Sequence, residues 1–152
     1  MALKDDIALL TTVPLFADLT DEQIRLLAFG AEHRRVPEGH VLFRQGTQAD
    51  CGYVVSDGSL TLSIADRDSA KRVVKEAGRG VLLGELAMIR PVPRKFTAEA
   101  AVDSEVIRIT RPLFARMLEE YPAIATVMMK RIQSNLSRVI GDLDRIERRF
   151  KS

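Results

Sequence analysis

The chain is poor in the residues that bind metals and redox cofactors. Its 152 residues include one cysteine, Cys51, and two histidines, His33 and His40. One cysteine can neither close an intramolecular disulfide nor supply the four thiolates of an iron–sulfur cluster. A barrel-type metalloenzyme needs several histidine or carboxylate ligands gathered in one place. We therefore predict no enzyme, no metal site and no cofactor, although His40 as a lone ligand stays open.

Long apolar runs are also missing. Apolar stretches such as residues 81–83 are short, so no segment is expected to cross a bilayer. Residues 1–10 lack the uninterrupted apolar core of a secretory signal. Together with the single cysteine, this predicts a cytoplasmic protein without a membrane partner. With 46% apolar and 29% charged residues, the chain fits one globular domain over residues 1–152.

Acidic residues are scarce near the end of the chain. From residue 127 onward there are seven lysines and arginines against three acidic residues, although the net charge of the chain is only +2. Such an excess occurs on nucleic-acid or membrane surfaces and on the solvated face of a charged helix. We favour the solvated helix. Because no helix-turn-helix follows it, we expect no DNA contact from this chain.

The pattern of residues predicts three regions. Residues 1–34 form a helical segment, with a capping box from Thr20 to Gln23 and His33 at its end. Residues 35–111 contain short alternating runs broken by glycines, including a hairpin signal at Asp57-Gly58. Residues 112–152 form C-terminal helices that begin at Pro112 and restart at Pro122. The predicted fold class is α+β: a jelly-roll-like antiparallel β-roll flanked by an N-terminal helix and C-terminal lid helices.

The last helix carries an apolar seam with alternate spacings of three and four residues. Its members are Met129, Ile132, Leu136, Val139, Leu143, Ile146 and Phe150. We favour a homodimer through this seam, and the alternative is an amphipathic helix that packs on its own domain. Gly141 and the like charges of Asp142 and Glu147 weaken the dimer interpretation.

The most informative segment is residues 84–97. Gly84 permits close approach to a ligand, and a short helical turn from Glu85 to Met88 directs amides toward an anion. Arg94 supplies a guanidinium suited to phosphate oxygens, and the Glu85 carboxylate can accept a hydrogen bond from a ribose hydroxyl. These groups together predict a nucleotide site. An Arg94–Glu85 salt bridge that holds the loop explains the same residues equally well.

This segment resembles the phosphate-binding cassette of the cyclic-nucleotide-binding domains, of the catabolite activator protein and protein kinase A regulatory subunit type. The cassette reads Gly-Glu-x-Ala, a spacer, and Pro-Arg-x-Ala/Ser-Thr. The chain has Gly84-Glu85-Leu86-Ala87 and Pro93-Arg94-Lys95-Phe96-Thr97 at that spacing. Residues 37–46 are similar to the family's glycine-bracketed hairpin, and residues 53–58 are similar to its Tyr-x-x-x-x-Gly turn. The resemblance covers about residues 13–140.

The resemblance implies roles for individual residues. Arg94 and the amides near Ala87 and Lys95 would hold the cyclic phosphate, while Glu85 and the Gly84 amide would hold the ribose 2′-hydroxyl. The predicted ligand-binding set is Gly84, Glu85, Leu86, Ala87, Arg94, Lys95 and Phe96, with Arg138, Val139 and Ile140 as a lid. Phe96 departs from the family, which prefers Ala or Ser there, so the ring either narrows the pocket, stacks near the base or points into the core.

The implied function is a ligand sensor that acts on an unknown downstream protein. cAMP is the expected ligand and cGMP the second choice, because cGMP-selective relatives have Thr or Ser where this chain has Lys95. Two alternatives stay open: a degenerate member that only binds a protein, and the sensor part of a transcription factor without its DNA-binding domain.

Overall fold

In the described part of the chain, four α-helices flank ten short strands. The computed structural model describes residues 2–65 and 70–134. The helices are α1 (Ala2–Thr11), α2 (Asp21–Gly30), α3 (Arg111–Glu120) and α4, which is described over residues 122–134. The strands are β1 (Glu32–Val36), β2 (Val41–Phe43), β3 (Gln48–Ala49), β4 (Cys51–Asp57), β5 (Ser59–Ile64), β6 (Arg72–Gly78), β7 (Leu82–Leu83), β8 (Val92–Pro93), β9 (Thr97–Ala100) and β10 (Ser104–Thr110).

Every strand pair is antiparallel. One sheet has the order β1-β10-β4-β7 and a second has the order β2-β9-β5-β6, while β3 and β8 form a separate pair. Short 3-10 helices occupy Pro14–Phe16 before α2 and Leu86–Met88 after β7. This arrangement confirms the predicted α+β fold, a β-roll with flanking helices.

The β4–β10 pair separates two hydrophobic cores. Cys51, Tyr53 and Val55 of β4 belong to the core inside the roll, whereas Val54 belongs to the core beneath the helices. Ile107 of β10 is also part of the helical core. Because side chains alternate across a strand, this single pair of strands has both faces buried. The roll core and the helical core are therefore back to back.

Two local predictions are confirmed. The Thr20 hydroxyl accepts from the Gln23 amide at 3.3 Å, and the Thr20 amide donates to Gln23 Oε1 at 2.6 Å, which completes the capping box. Gly58 joins β4 to β5 with φ of +84°. A Cβ atom at Gly58 would lie 2.7 Å from the Asp103 carbonyl oxygen, so the turn requires glycine.

The prediction that His33 lies at the end of a helix is wrong. This residue lies in β1, which begins at Glu32 and pairs with β10 so that His33 faces Ile107. The strand has one buried residue, Val36, after four exposed ones, so it lacks the apolar alternation that reveals a strand in sequence. Its formation depends on pairing with β10, a distant segment of the chain.

The His33 ring joins two elements. Its Nε2 lies 2.6 Å from the carboxylate of Asp6 in α1, and its Nδ1 lies 2.6 Å from the carboxylate of Glu105 in β10. Asp6 is 7% exposed, so this contact holds a buried carboxylate against the roll. The hydrogen bond with Asp6, followed by that with Glu105, raises the pKa of His33 above 6.5.

Helix α4 packs on its own domain over its described part. Met128 and Ile132 are buried in the helical core, and Met129 is exposed. Ile132 is a member of the predicted dimer seam, so at this position the described helix follows the alternative of packing on its own domain. The seam residues from Leu136 to Phe150 lie outside the described residues, and the homodimer stays a prediction. No helix in the described ranges is long and apolar enough to cross a membrane.

The His33 contacts predict a pH-dependent stability. A group whose pKa is raised by folding contributes its full stabilisation at pH values below its pKa in the unfolded state. This contribution is lost as the pH rises through its pKa in the folded state. We expect His33→Gln to lower the free energy of urea-induced unfolding most below pH 6.5. The difference from wild type decreases above that pH. Arg34→Gln, on the opposite face of β1, is the control, and a pH-independent His33→Gln effect contradicts the prediction.

Candidate functional site

Each half of the cassette follows a short strand, and the two strands belong to different sheets. Gly84 comes directly after β7, and Arg94 comes directly after β8. The Arg94 amide donates to the Thr47 carbonyl at 2.8 Å, and the Arg94 carbonyl accepts from the Gly46 amide at 2.8 Å. The backbone of Arg94 is thus anchored on both sides to the turn after β2.

The side chain of Arg94 lies inside the roll. It is 7% exposed, and its Cζ is 4.3 Å from the centroid of the Phe43 ring and 5.4 Å from that of Tyr53. The two rings are stacked, with centroids 5.9 Å apart. Nη2 of Arg94 donates to the thiol of Cys51, with the Sγ at 3.4 Å. Burial, followed by the hydrogen bond with Cys51, raises the pKa of the Tyr53 hydroxyl. The hydroxyl is therefore neutral beside the guanidinium.

No carboxylate of the described residues forms a salt bridge with Arg94, although the Asp50 carboxylate lies near enough to interact with its charge. Within residues 2–65 and 70–134, no ion pair involves Arg94, and its Nη1 is buried without a hydrogen-bond partner. The Arg94–Glu85 salt bridge that the sequence left open is therefore not formed. A buried cation without a direct salt bridge carries a large desolvation cost. A phosphate has the charge and geometry to supply the hydrogen-bond acceptor that this guanidinium lacks.

Gly84 lies directly over the guanidinium. Its φ is +80°, a conformation that residues with side chains rarely adopt. A Cβ atom at Gly84 would overlap Nη1 of Arg94 and would lie 3.1 Å from the Cys51 carbonyl oxygen. The structure thus brings Gly84 and Arg94 together, and glycine is required both for the backbone angle and for the close approach.

The 3-10 turn at Leu86–Met88 connects the cassette to the helices. The Ala87 amide donates to the Gly84 carbonyl at 3.1 Å, so it is already used within the turn. The Ala87 carbonyl accepts from Nε of Arg111 at 3.1 Å, and Nη2 of Arg111 donates to the Ala49 carbonyl at 2.7 Å. Arg111 is the first residue of α3, and it therefore fastens the cassette turn to the start of that helix.

The other predicted residues point in different directions. Glu85 is half-buried at the start of the turn, and Leu86 packs against the helical core. Lys95 is exposed, whereas Phe96 is half-buried and packs against the core inside the roll. Of the three possibilities for Phe96, the structure thus favours a ring that points into the core. The predicted lid, Arg138, Val139 and Ile140, lies outside the described residues.

Sequence reasoning missed four residues of the site. Phe43, Cys51 and Tyr53 surround the Arg94 guanidinium, and Arg111 holds the turn. The i, i+2 spacing of Cys51 and Tyr53 in β4 places both on one strand face, and this was the available signal. Nothing in the local sequence indicates that this face meets Arg94.

Comparison with known proteins agrees with the geometry. The profile of the family described as "Cyclic nucleotide-binding domain" matches residues 33–121, which is more than half of the chain and includes the whole cassette. The chain belongs to this family. The match spans the roll and α3, so the buried Arg94 lies in a cyclic nucleotide-binding domain.

Two solved structures are similar to most of the chain. A cyclic nucleotide-binding-like protein from Brucella abortus is 46% identical, with a TM-score of 0.69, over 76% of this chain and 98% of that one. The N-terminal domain of a transcriptional regulator from Streptomyces coelicolor is 27% identical, with a TM-score of 0.77, over 89% of this chain and 94% of that one.

A curated relative is much longer. Lysophospholipase NTE1 from Chaetomium globosum is 31% identical over 136 residues, which is 90% of this chain. The chain spans 9% of the length of that relative, so the similarity concerns one domain of a larger protein.

The contacts of Arg111 predict a measurable contribution to stability. Arg111→Ala removes charge-assisted hydrogen bonds to two backbone carbonyls, and we expect a loss of about 1–3 kcal/mol in the free energy of unfolding. Urea denaturation followed by circular dichroism measures it. Arg116→Ala, on the exposed face of the same helix, is the matched control and is expected to cost about 0.5 kcal/mol or less. Equal effects of both variants would contradict the role of Arg111.

Proposed function

We propose that this domain binds a cyclic mononucleotide at residues 84–97 and acts as a regulatory ligand sensor, not as an enzyme. The observation that carries the proposal is the Arg94 guanidinium, which is buried, unpaired with any carboxylate of the described residues, and has one nitrogen without a partner. The family and the match of the chain to the cassette motif support the same ligand class. We further propose that the protein works in the cytoplasm.

The groups around Gly84 suit a cyclic nucleotide. Arg94 would bind the cyclic phosphate, and Glu85 with the Gly84 amide would bind the ribose 2′-hydroxyl. A 3′,5′-cyclic phosphate leaves that hydroxyl as the one free hydroxyl on the ring, so this donor and acceptor set favours cyclic over linear nucleotides. Because the Ala87 amide already donates to Gly84, its use by phosphate would require the turn to adjust.

Ligand binding has a physical route to the helices. Phosphate would neutralise Arg94 and tighten the cassette around Gly84. The turn that follows buries Met88 in the helical core and is bonded through Ala87 to Arg111. A shift of this turn would therefore act on α3 and, through the shared core, on Met128 of α4. We propose that residues 138–140 serve as the lid.

The preferred base is proposed to be adenine. Lys95 is exposed and directly follows Arg94, the position where a Thr or Ser hydroxyl would accept from the guanine 2-amino group. An ammonium has three donors and no acceptor. A guanine presented to this position would leave its amino group unsatisfied, whereas adenine lacks that group.

Two other roles have specific support. The similarity to the N-terminal domain of a transcriptional regulator favours the sensor part of a larger regulator. The alternative of a protein-interaction module is favoured by a groove of about 570 Å³ whose lining includes Leu26, Phe29 and Tyr121. Phe29 is 80% exposed there. A homodimer through the last helix and an unknown downstream protein remain part of the proposal.

Replacement of Arg94 tests the site. Arg94→Ala is expected to weaken cyclic nucleotide binding by about 100-fold or more, because the charge-assisted contact to phosphate is lost. Isothermal titration calorimetry with cAMP measures it on protein whose fold is checked by circular dichroism. Arg90→Ala, an exposed arginine of the same segment, is the control and is expected to bind as wild type does. Unchanged affinity of folded Arg94→Ala would refute the site.

Base preference is tested at Lys95. We expect the wild-type domain to bind cAMP about tenfold more tightly than cGMP, which corresponds to about 1.4 kcal/mol. Lys95→Thr supplies the missing acceptor and is expected to improve cGMP affinity while cAMP affinity changes little. Lys95→Ala, which removes the charge without adding an acceptor, is the control. If the wild-type domain binds cGMP more tightly than cAMP, residue 95 does not determine the base preference.

A further inference from the structure

One nitrogen of the Arg94 guanidinium, Nη1, lies in a position that a phosphate cannot reach. This Nη1 is buried and lies beneath Gly84. Nη2 of Arg94 is committed to the thiol of Cys51. A charge-assisted contact brings a phosphate oxygen to about 2.7–2.9 Å from the nitrogen. An atom that is closed to water is closed to a larger anion, so either the guanidinium or the Gly84 backbone must move before Nη1 can make such a contact.

The contacts that hold Arg94 in this position come from strands β2 and β4. The Phe43 ring lies closest, the Tyr53 ring is next, and the Cys51 thiol accepts one hydrogen bond. A thiol is a weak acceptor, and aromatic faces attract a cation more weakly than a carboxylate does. These partners hold the guanidinium without cancelling its charge. A phosphate would therefore be a stronger partner for the guanidinium than any of them.

We propose that this is a retracted position of Arg94, and that Cys51 and Phe43 lower the affinity of the cassette for cyclic nucleotide by stabilising it. The proposal rests on the function proposed above and names a regulatory feature of the same site. The retracted and the binding-competent positions are in equilibrium, and the apparent dissociation constant equals the intrinsic one divided by the competent fraction. Any change that weakens the retracted position raises that fraction.

The first test is affinity. Cys51→Ala removes the acceptor of Nη2, and Phe43→Leu removes the nearest ring. Each is expected to lower the dissociation constant for cAMP by about three- to tenfold in calorimetric titrations, the range that the loss of one modest interaction gives. Val55→Ala is the matched control, because Val55 shares the strand face and the core of Cys51 and is expected to leave affinity unchanged. Weaker or unchanged binding in both test variants overturns the proposal.

The second test needs no nucleotide. Nitrogen-15 NMR of the protein alone measures hydrogen exchange of the Arg94 guanidinium, whose signals are assigned by their loss in Arg94→Lys. We expect slower exchange for Arg94 than for the exposed Arg116, and faster Arg94 exchange in Cys51→Ala than in wild type. If the guanidinium hydrogens of Arg94 exchange as fast as those of Arg116, the proposal that Arg94 occupies a retracted position is wrong. If wild type and both variants bind no cyclic nucleotide, the proposed function fails, whereas the exchange rates still decide where Arg94 lies.

Discussion

The two buried faces of the β4–β10 pair constrain the rest of the domain. Cys51 and Tyr53 face the roll core while Val54 faces the helical core, so the register of β4 assigns each residue to one core. A slip by one residue would exchange the two sets and would remove both the thiol and the ring from Arg94. The environment of the guanidinium therefore depends on a pairing, Val54 opposite Ile107, that the helices stabilise from the other side.

The cassette makes contact with both cores. Arg94 enters the roll, and the turn that follows Gly84 buries Met88 against the opposite face of β4. A Cβ atom at Gly52 would be 3.0 Å from Met88, so a small residue on β4 is what permits this contact. Because α3 begins directly after β10, with Thr110 as its cap and Arg111 bonded to the turn, a movement of the turn is transmitted to a helix terminus. A sensor needs such a connection between the ligand site and the helices.

The sequence predicts those parts of the fold that are determined locally. The capping box at Thr20 and the turn at Gly58 depend on residues within a few positions, and both are as predicted. The spacing of Gly84 and Arg94 identified the cassette for the same reason. By contrast, Arg94 and Cys51 are 43 residues apart, and no local pattern records that they meet. β1 was mistaken for the end of a helix because its charged, exposed sequence acquires strand structure only through pairing with β10.

The last helix shows a different limit of prediction. Spacings of three and four residues are common to a dimer seam and to a helix that packs on its own domain, so periodicity does not separate them. At Ile132, burial in the helical core shows that the helix packs on its own domain. Only the tertiary structure provides this information.

Stability alone does not account for an arginine at position 94. Replacing a buried charged group by an apolar side chain of similar volume is often neutral or stabilising, and here the guanidinium has no carboxylate partner in the described structure. Phe43 and Tyr53 offset part of the desolvation cost, by about 0.5–2 kcal/mol for a cation on an aromatic face. A leucine or methionine would fill the same space without that cost. An apolar side chain cannot bind an anion. The cost of burying Arg94 is therefore consistent with the proposal that the cassette exchanges its weak internal partners for a phosphate.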